Sequence, residues 1–158
     1  MFTAGIRRGG SQGGTRSAQV PDFTSTYPLP KAKQLRVFLV EDLPVVRNRI
    51  IESVEEIAGV KVVGFAENEE YALSWLATHH CDVLILDLQL QQGNGLGVLK
   101  ALAEPDCLPG LLKIVYSNHV SADMRRLATQ FGAAYFFDKT LDTPRLRLLL
   151  EELSAILT

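Results

Sequence analysis

Asp82-Val83-Leu84-Ile85-Leu86-Asp87-Leu88-Gln89-Leu90-Gln91-Gln92-Gly93-Asn94-Gly95 is the stretch whose reading decides the fold. Val83 to Leu86 is a short apolar run without alternation. It reads as a strand buried on both faces, as in a parallel sheet covered by helices on each side. Asp87 ends the run with a carboxylate, and a loop containing Gly93 and Gly95 follows. Open α/β sheets gather their ligands just beyond the carboxyl ends of such strands, so Asp87 stands where a functional acid is expected.

On either side of this strand the chain repeats one unit. Strand-like runs at residues 35–40, 60–66, 83–86, 112–116 and 134–137 alternate with segments of helical period. Five such units imply an α/β fold: a five-stranded parallel sheet flanked by five helices. The first helix opens with Pro44 in its first turn, repeats Val46, Ile50, Val54 and Ile57 on one face, and stops at Gly59. Asn68 is the expected N-cap of the second, which buries Ala72, Trp75 and Leu76. The third runs from about Gly95 with Leu96, Leu99 and Leu102 inward, and Ser121 caps a fourth carrying Met124, Leu127, Ala128 and Phe131. The fifth is expected from Asp142, with a Leu141 to Leu146 staple and a stripe of Leu146, Leu150, Leu153 and Leu157. It runs to the last residues, so no output domain is expected after it.

Residues 1–34 follow neither period and are rich in Gly, Ser, Thr and Pro, which reads as a disordered N-terminal extension preceding a domain over 35–158. A chain of 158 residues with 47% hydrophobic content suits one such domain. Net charge is −2, but it is unevenly placed: five basic residues against Asp22 in the first 34, then 11 basic against 17 acidic in the rest. An acidic body argues against nucleic acid as the main partner. The longest apolar runs are too short to span a bilayer and no signal-like segment is present, so a cytoplasmic location without membrane contact is expected. Cys81 and Cys107 have no CxxC spacing and read as free thiols.

Four strand ends carry polar groups: Glu41 and Asp42 after the first, Asp87 after the third, Ser117 after the fourth and Lys139 after the fifth. Right-handed crossovers bring all carboxyl ends to one edge of the sheet, so these groups can share a crevice. Two carboxylates about 4 Å apart repel by roughly 4 kcal/mol at an effective dielectric near 20. The cluster therefore needs a cation or a proton, and oxygen-only ligands favour Mg²⁺.

Leu39-Val40-Glu41-Asp42, Leu86-Asp87-Leu88 with Gly95 eight residues beyond Asp87, Val115-Tyr116-Ser117 and Asp138-Lys139, in this order and spacing, resemble the receiver domain of bacterial two-component response regulators. The resemblance implies a flavodoxin-like sheet of order 2-1-3-4-5. It also implies that Asp87 is the phosphoacceptor, Asp42 a direct Mg²⁺ ligand, Glu41 the holder of a metal-bound water, and the backbone carbonyl of Gln89 a further ligand. Ser117 and Lys139 would contact the phosphoryl group, with Ser117 and Phe136 forming a switch. The implied partners are a sensor histidine kinase or histidine phosphotransfer protein and a downstream protein target, with no catalysis beyond self-catalysed aspartyl phosphorylation and dephosphorylation. Leu148 and Leu149 widen the apolar face of the fifth helix, which suits a partner or a homodimer contact.

Three positions depart from the pattern. Gln91 and Thr140 stand where prolines are usual, and Asn118 where a small residue is usual. They motivate an alternative in which the domain is a receiver-like interaction module with vestigial phosphorylation. A phosphatase with an aspartate nucleophile needs a general acid two residues on, where Gln89 cannot serve. A flavin module is disfavoured because Glu41 and Asp42 would repel its phosphate. His79, His80 and His119 form no ligand spacing.

Overall fold

Strand Leu35–Val40 (β1) lies second in a five-stranded sheet, between Val60–Ala66 (β2) and Val83–Leu86 (β3). Leu112–Ser117 (β4) and Tyr135–Asp138 (β5) continue beyond β3, giving the order 2-1-3-4-5 with every pairing parallel. The computed structural model describes residues 33–105 and 107–157. The disordered extension expected over 1–34 therefore falls, for residues 1–32, outside the described residues.

Burial on both faces explains why the strands read as unbroken apolar runs. Phe38, Val40, Leu84, Leu86 and Val115 point to one core, which also takes side chains from Glu69–Thr78 (α2), Gly95–Leu102 (α3) and Ala122–Gln130 (α4). The alternate residues Val37, Leu39, Val83, Ile85 and Ile114 point to a second core against Pro44–Glu55 (α1) and Thr143–Leu157 (α5). In the central strand β3 every residue therefore leaves water regardless of its parity, which removes the period-2 signal of a half-solvated sheet. Burying a Leu, Ile, Val or Phe side chain is worth about 1.5–3 kcal/mol each, so these two layers supply the main force holding the sheet between its helices.

The helix ends follow the expected chemistry. Asn68 Oδ1 accepts the Tyr71 N–H at 2.9 Å, and Ser121 Oγ accepts the Met124 N–H at 3.1 Å. Asn94, which the sequence reading left unassigned, caps α3 through the Gly97 N–H at 2.8 Å. The fifth helix departs from expectation. Leu141 is 76% exposed, so the staple to buried Leu146 does not form. Two aspartates hold the turn instead: Asp138 Oδ1 accepts the N–H groups of Thr140 and Leu141, and Asp142 Oδ2 accepts the N–H of Asp138. The strand ends also shift by one residue, with Ser117 and Asp138 paired inside the sheet. That pairing carries Ser117 and Lys139 to the same edge as Asp87.

Gly95 shows how closely the backbone is packed near that edge. A Cβ there would lie 2.2 Å from the Asp87 carbonyl oxygen and 2.8 Å from Leu88 Cα, and neither backbone atom can swing aside. Gly95→Ala should therefore cost about 2 kcal/mol or more, measured by urea unfolding. Unchanged stability would show that the β3–α3 corner is looser than these contacts require.

Candidate functional site

Five side chains from four strand ends meet at the carboxyl edge of the sheet. Glu41 (1% exposed), Asp87 (7%) and Ser117 (1%) are buried, and Asp42 is half-exposed beside them. Such burial is tolerated because every one of these groups has a partner. Asp87 Oδ1 accepts the Ser117 hydroxyl at 2.6 Å and the Gln89 N–H at 2.9 Å, while Oδ2 accepts Lys139 Nζ at 2.6 Å. Lys139 also donates to Glu41 Oε1, whose other oxygen accepts the Leu43 N–H at 3.2 Å. Asp42 Oδ2 accepts the Gln91 N–H at 2.8 Å.

The three acids can each place one oxygen within 4.8 Å of the other two. One ammonium against three carboxylates leaves the cluster net negative, and the donor set is all oxygen. Both properties fit a hard divalent cation. The cluster opens into a cleft of about 370 Å³ whose lining includes Asp42, Asp87, Gln89, Gln91, Asn118 and Lys139. The expected site residues Glu41, Asp42, Asp87, Ser117 and Lys139 are thus brought together, with Gln89 at the rim. Phe136 is not in the cleft; it lies half-buried in β5 beside Val115, with the Arg125 guanidinium 4.5 Å over its ring.

The electrostatics follow from this crowding. Burial pushes the Glu41 carboxyl above the usual range against the opposing hydrogen bond from Lys139. Burial also works against the Lys139 ammonium, but its bonds to Asp87 and Glu41 outweigh that penalty and hold its pKa above the ordinary lysine value. Lysine is the permanent counter-ion here at any physiological pH. Outside the cluster, burial followed by the neighbouring Asp82 charge pushes the free Cys81 thiol up to about 12, which makes it a core residue and not a nucleophile.

Sequence reading missed Arg47. Its side chain is 9% exposed, bonds the Glu41 carbonyl and Glu67 at 3.3 Å each, and stacks 4.3 Å over Phe65. The signal was its place on the Ile50–Val54 face of α1, where a basic residue is out of pattern. The reading also placed no role on the main-chain N–H of Gln91 or on Glu69. Two of the three residues that depart from the pattern touch each other: Thr140 Oγ1 donates to Asn118 Oδ1 at 3.3 Å. The described residues contain no cis peptide, so the Lys139–Thr140 bond is trans.

The family model of the response regulator receiver domain matches residues 37–151. The chain belongs to this family. It is 36% identical over 118 residues to protein-glutamate methylesterase/protein-glutamine glutaminase 1 of Paramagnetospirillum magneticum, covering 73% of this chain and 30% of that protein. It is 30% identical over 105 residues to the response regulator UvrY of Escherichia coli, covering 66% of this chain and 47% of that one. The chain thus matches less than half the length of either relative. Among solved structures, the receiver domain of NarL from Mycobacterium tuberculosis superposes with a TM-score of 0.68 at 24% identity, over 78% of this chain and 98% of that domain. The response regulator domain of Thermotoga maritima CheB gives 0.66 at 23% identity, over 78% and 96%. Both share the flavodoxin-like receiver fold. Among the described residues, no helix is long and apolar enough to cross a membrane.

Lys139→Met tests the electrostatic reading. Removing the ammonium leaves two buried carboxylates without their cation, which should destabilise the metal-free protein by about 3 kcal/mol at neutral pH. The Glu41 carboxyl, which burial already pushes up against the Lys139 bond, would then lie further above its unfolded value. Its stabilising contribution would be present in acid and lost as pH rises through the folded value, so the variant should regain stability at low pH. Thermal melts across pH check this, and equal losses at acid and neutral pH would contradict it.

Proposed function

We propose that this receiver domain, residues 35–158, accepts a phosphoryl group on Asp87 from a sensor histidine kinase or a histidine phosphotransfer protein, and signals through altered contacts with a downstream protein. The observation that carries the proposal is the set of partners on Asp87: a hydroxyl, a main-chain N–H and an ammonium converge on its two oxygens, with two further acids alongside. In the transfer, a carboxylate oxygen of Asp87 attacks phosphorus in line. The bond to the donor's imidazole nitrogen breaks, its electron pair stays on that nitrogen, and an acyl phosphate remains. Little covalent chemistry is asked of the protein, so positioning and charge compensation carry the rate.

Asp42, Asp87 and the Gln89 carbonyl would hold Mg²⁺, with Glu41 supporting a metal-bound water. When bound, the metal neutralises phosphoryl charge. Lys139 already sits at hydrogen-bond distance from Asp87 and adds a compact positive charge on the same side. Ser117 would turn its hydroxyl from Asp87 to the new phosphoryl oxygens. Phe136, next to the same stretch of β4, would follow by repacking and so change the α4–β5–α5 face. That face carries exposed Tyr135, Leu141 and Leu148, which suit a protein target or a homodimer contact. The chain would have no enzymatic role beyond its own phosphorylation and dephosphorylation, a cytoplasmic location and no membrane partner, and the acidic body of this domain disfavours nucleic acid.

The Thr140–Asn118 hydrogen bond beside the cleft favours one other reading, an interaction module with vestigial phosphorylation. Beryllium fluoride separates the two. With Mg²⁺, the wild-type protein should show amide shifts at Asp87, Ser117 and β5, and Asp87→Asn should show none. A folded wild-type protein without Mg²⁺-dependent shifts would establish the vestigial reading.

A further inference from the structure

The loop between β3 and α3 is tied down at two points by its own main chain. On the cleft side the Gln91 N–H donates to Asp42 Oδ2 at 2.8 Å. On the far side the Asn94 N–H donates to Glu69 Oε1 at 3.2 Å. Glu69 opens α2 and takes no part in the cleft, yet two glycines make room for it. A Cβ on Gly97 would lie 2.5 Å from Glu69 Oε1, and a Cβ on Gly93 would lie 2.7 Å from Glu69 Cβ. Gly93 also has φ of +73°, a conformation other residues adopt only under strain.

The inner tie depends on what stands at position 91. A proline there has no N–H and could not make it. Because Oδ2 of Asp42 is held, the carboxylate cannot rotate freely, and its Oδ1 carries no hydrogen bond among the described residues. Gln89 lies two residues back along the same short loop, with its own N–H on Asp87. One tether therefore sets both Asp42 and the backbone around Gln89 before any ligand arrives. Groups that fix the orientation of a ligating carboxylate commonly matter nearly as much to metal affinity as the ligand itself.

We propose that the Gln91 main-chain N–H, braced from outside by the Glu69 carboxylate, is a positioning group for the cation site of this domain. It holds Asp42 with one oxygen turned free and fixes the Gln89 segment, so that a divalent cation meets a formed site. The inference rests on the Mg²⁺ reading given under Proposed function.

Calorimetric titration of the full chain with MgCl₂ alone tests it, alongside metal-free melting temperatures. Gln91→Ala keeps the N–H and should bind Mg²⁺ as the wild type does. Gln91→Pro removes the donor, with loss of the side chain controlled by Gln91→Ala, and should weaken binding about tenfold, while leaving the metal-free melting temperature in place. Glu69→Ala should weaken binding in the same direction. Wild-type affinity in Gln91→Pro, or an equal loss in Gln91→Ala, overturns the inference. If Gln91→Pro also melts early, Glu69→Ala decides, and unchanged affinity there overturns it. A wild-type chain that binds no Mg²⁺ refutes the cation reading and this inference with it, whereas wild-type binding with an unaffected proline variant refutes the inference alone.

Discussion

The Lys139 ammonium between the Glu41 and Asp87 carboxylates is the interaction on which the rest of the site depends. Two acids buried this deeply could not both remain ionised without a cation beside them, since desolvation alone favours their neutral forms. A buried ion pair of this kind is a poor source of stability, because taking the charges out of water costs about as much as their attraction returns. What it provides is a charge state. A positive charge is set against Asp87 at the centre of the sheet edge, and the third acid, Asp42, leaves the cluster short of positive charge. The apolar strands hold the fold, and the charged edge uses that rigidity.

The topology makes this arrangement possible from residues far apart in sequence. Lys139 lies 98 residues from Glu41 and 52 from Asp87, yet parallel pairing places their strand ends on one edge. The central position of β3 matters most. With neighbours β1 and β4 on either side, Asp87 can be reached by groups from both, and Ser117 and the Glu41–Asp42 pair arrive from those two flanks. An edge strand would have offered only one flank.

Much of this was legible in the sequence because the signals were local and physically overdetermined. Val83 to Leu86 read as a doubly buried strand, Asn68 and Ser121 as caps, and the polar residues at four strand ends as neighbours once the sheet was parallel. What escaped was carried by groups that side-chain patterns do not report. The Gln91 N–H on Asp42 belongs to the main chain, and a glutamine gives no hint of it. Glu69 looked like an ordinary first-turn acid of α2, since its partners are an N–H and two empty glycine positions 24 to 28 residues away. Leu141 failed as a staple because two aspartates already held the turn, and Arg47 was hidden by the assumption that an inward helix face is apolar.

The central claim is that Asp87 is a nucleophile whose surroundings, not an added base, let it take a phosphoryl group. Intact-mass measurement after incubation with acetyl phosphate tests this most directly, with and without Mg²⁺, followed by borohydride trapping to locate the acyl phosphate. The account predicts one added phosphoryl group that appears only with Mg²⁺, maps to Asp87 and is lost on standing. A modification on another residue, or none at all in the folded protein with Mg²⁺ present, would contradict it.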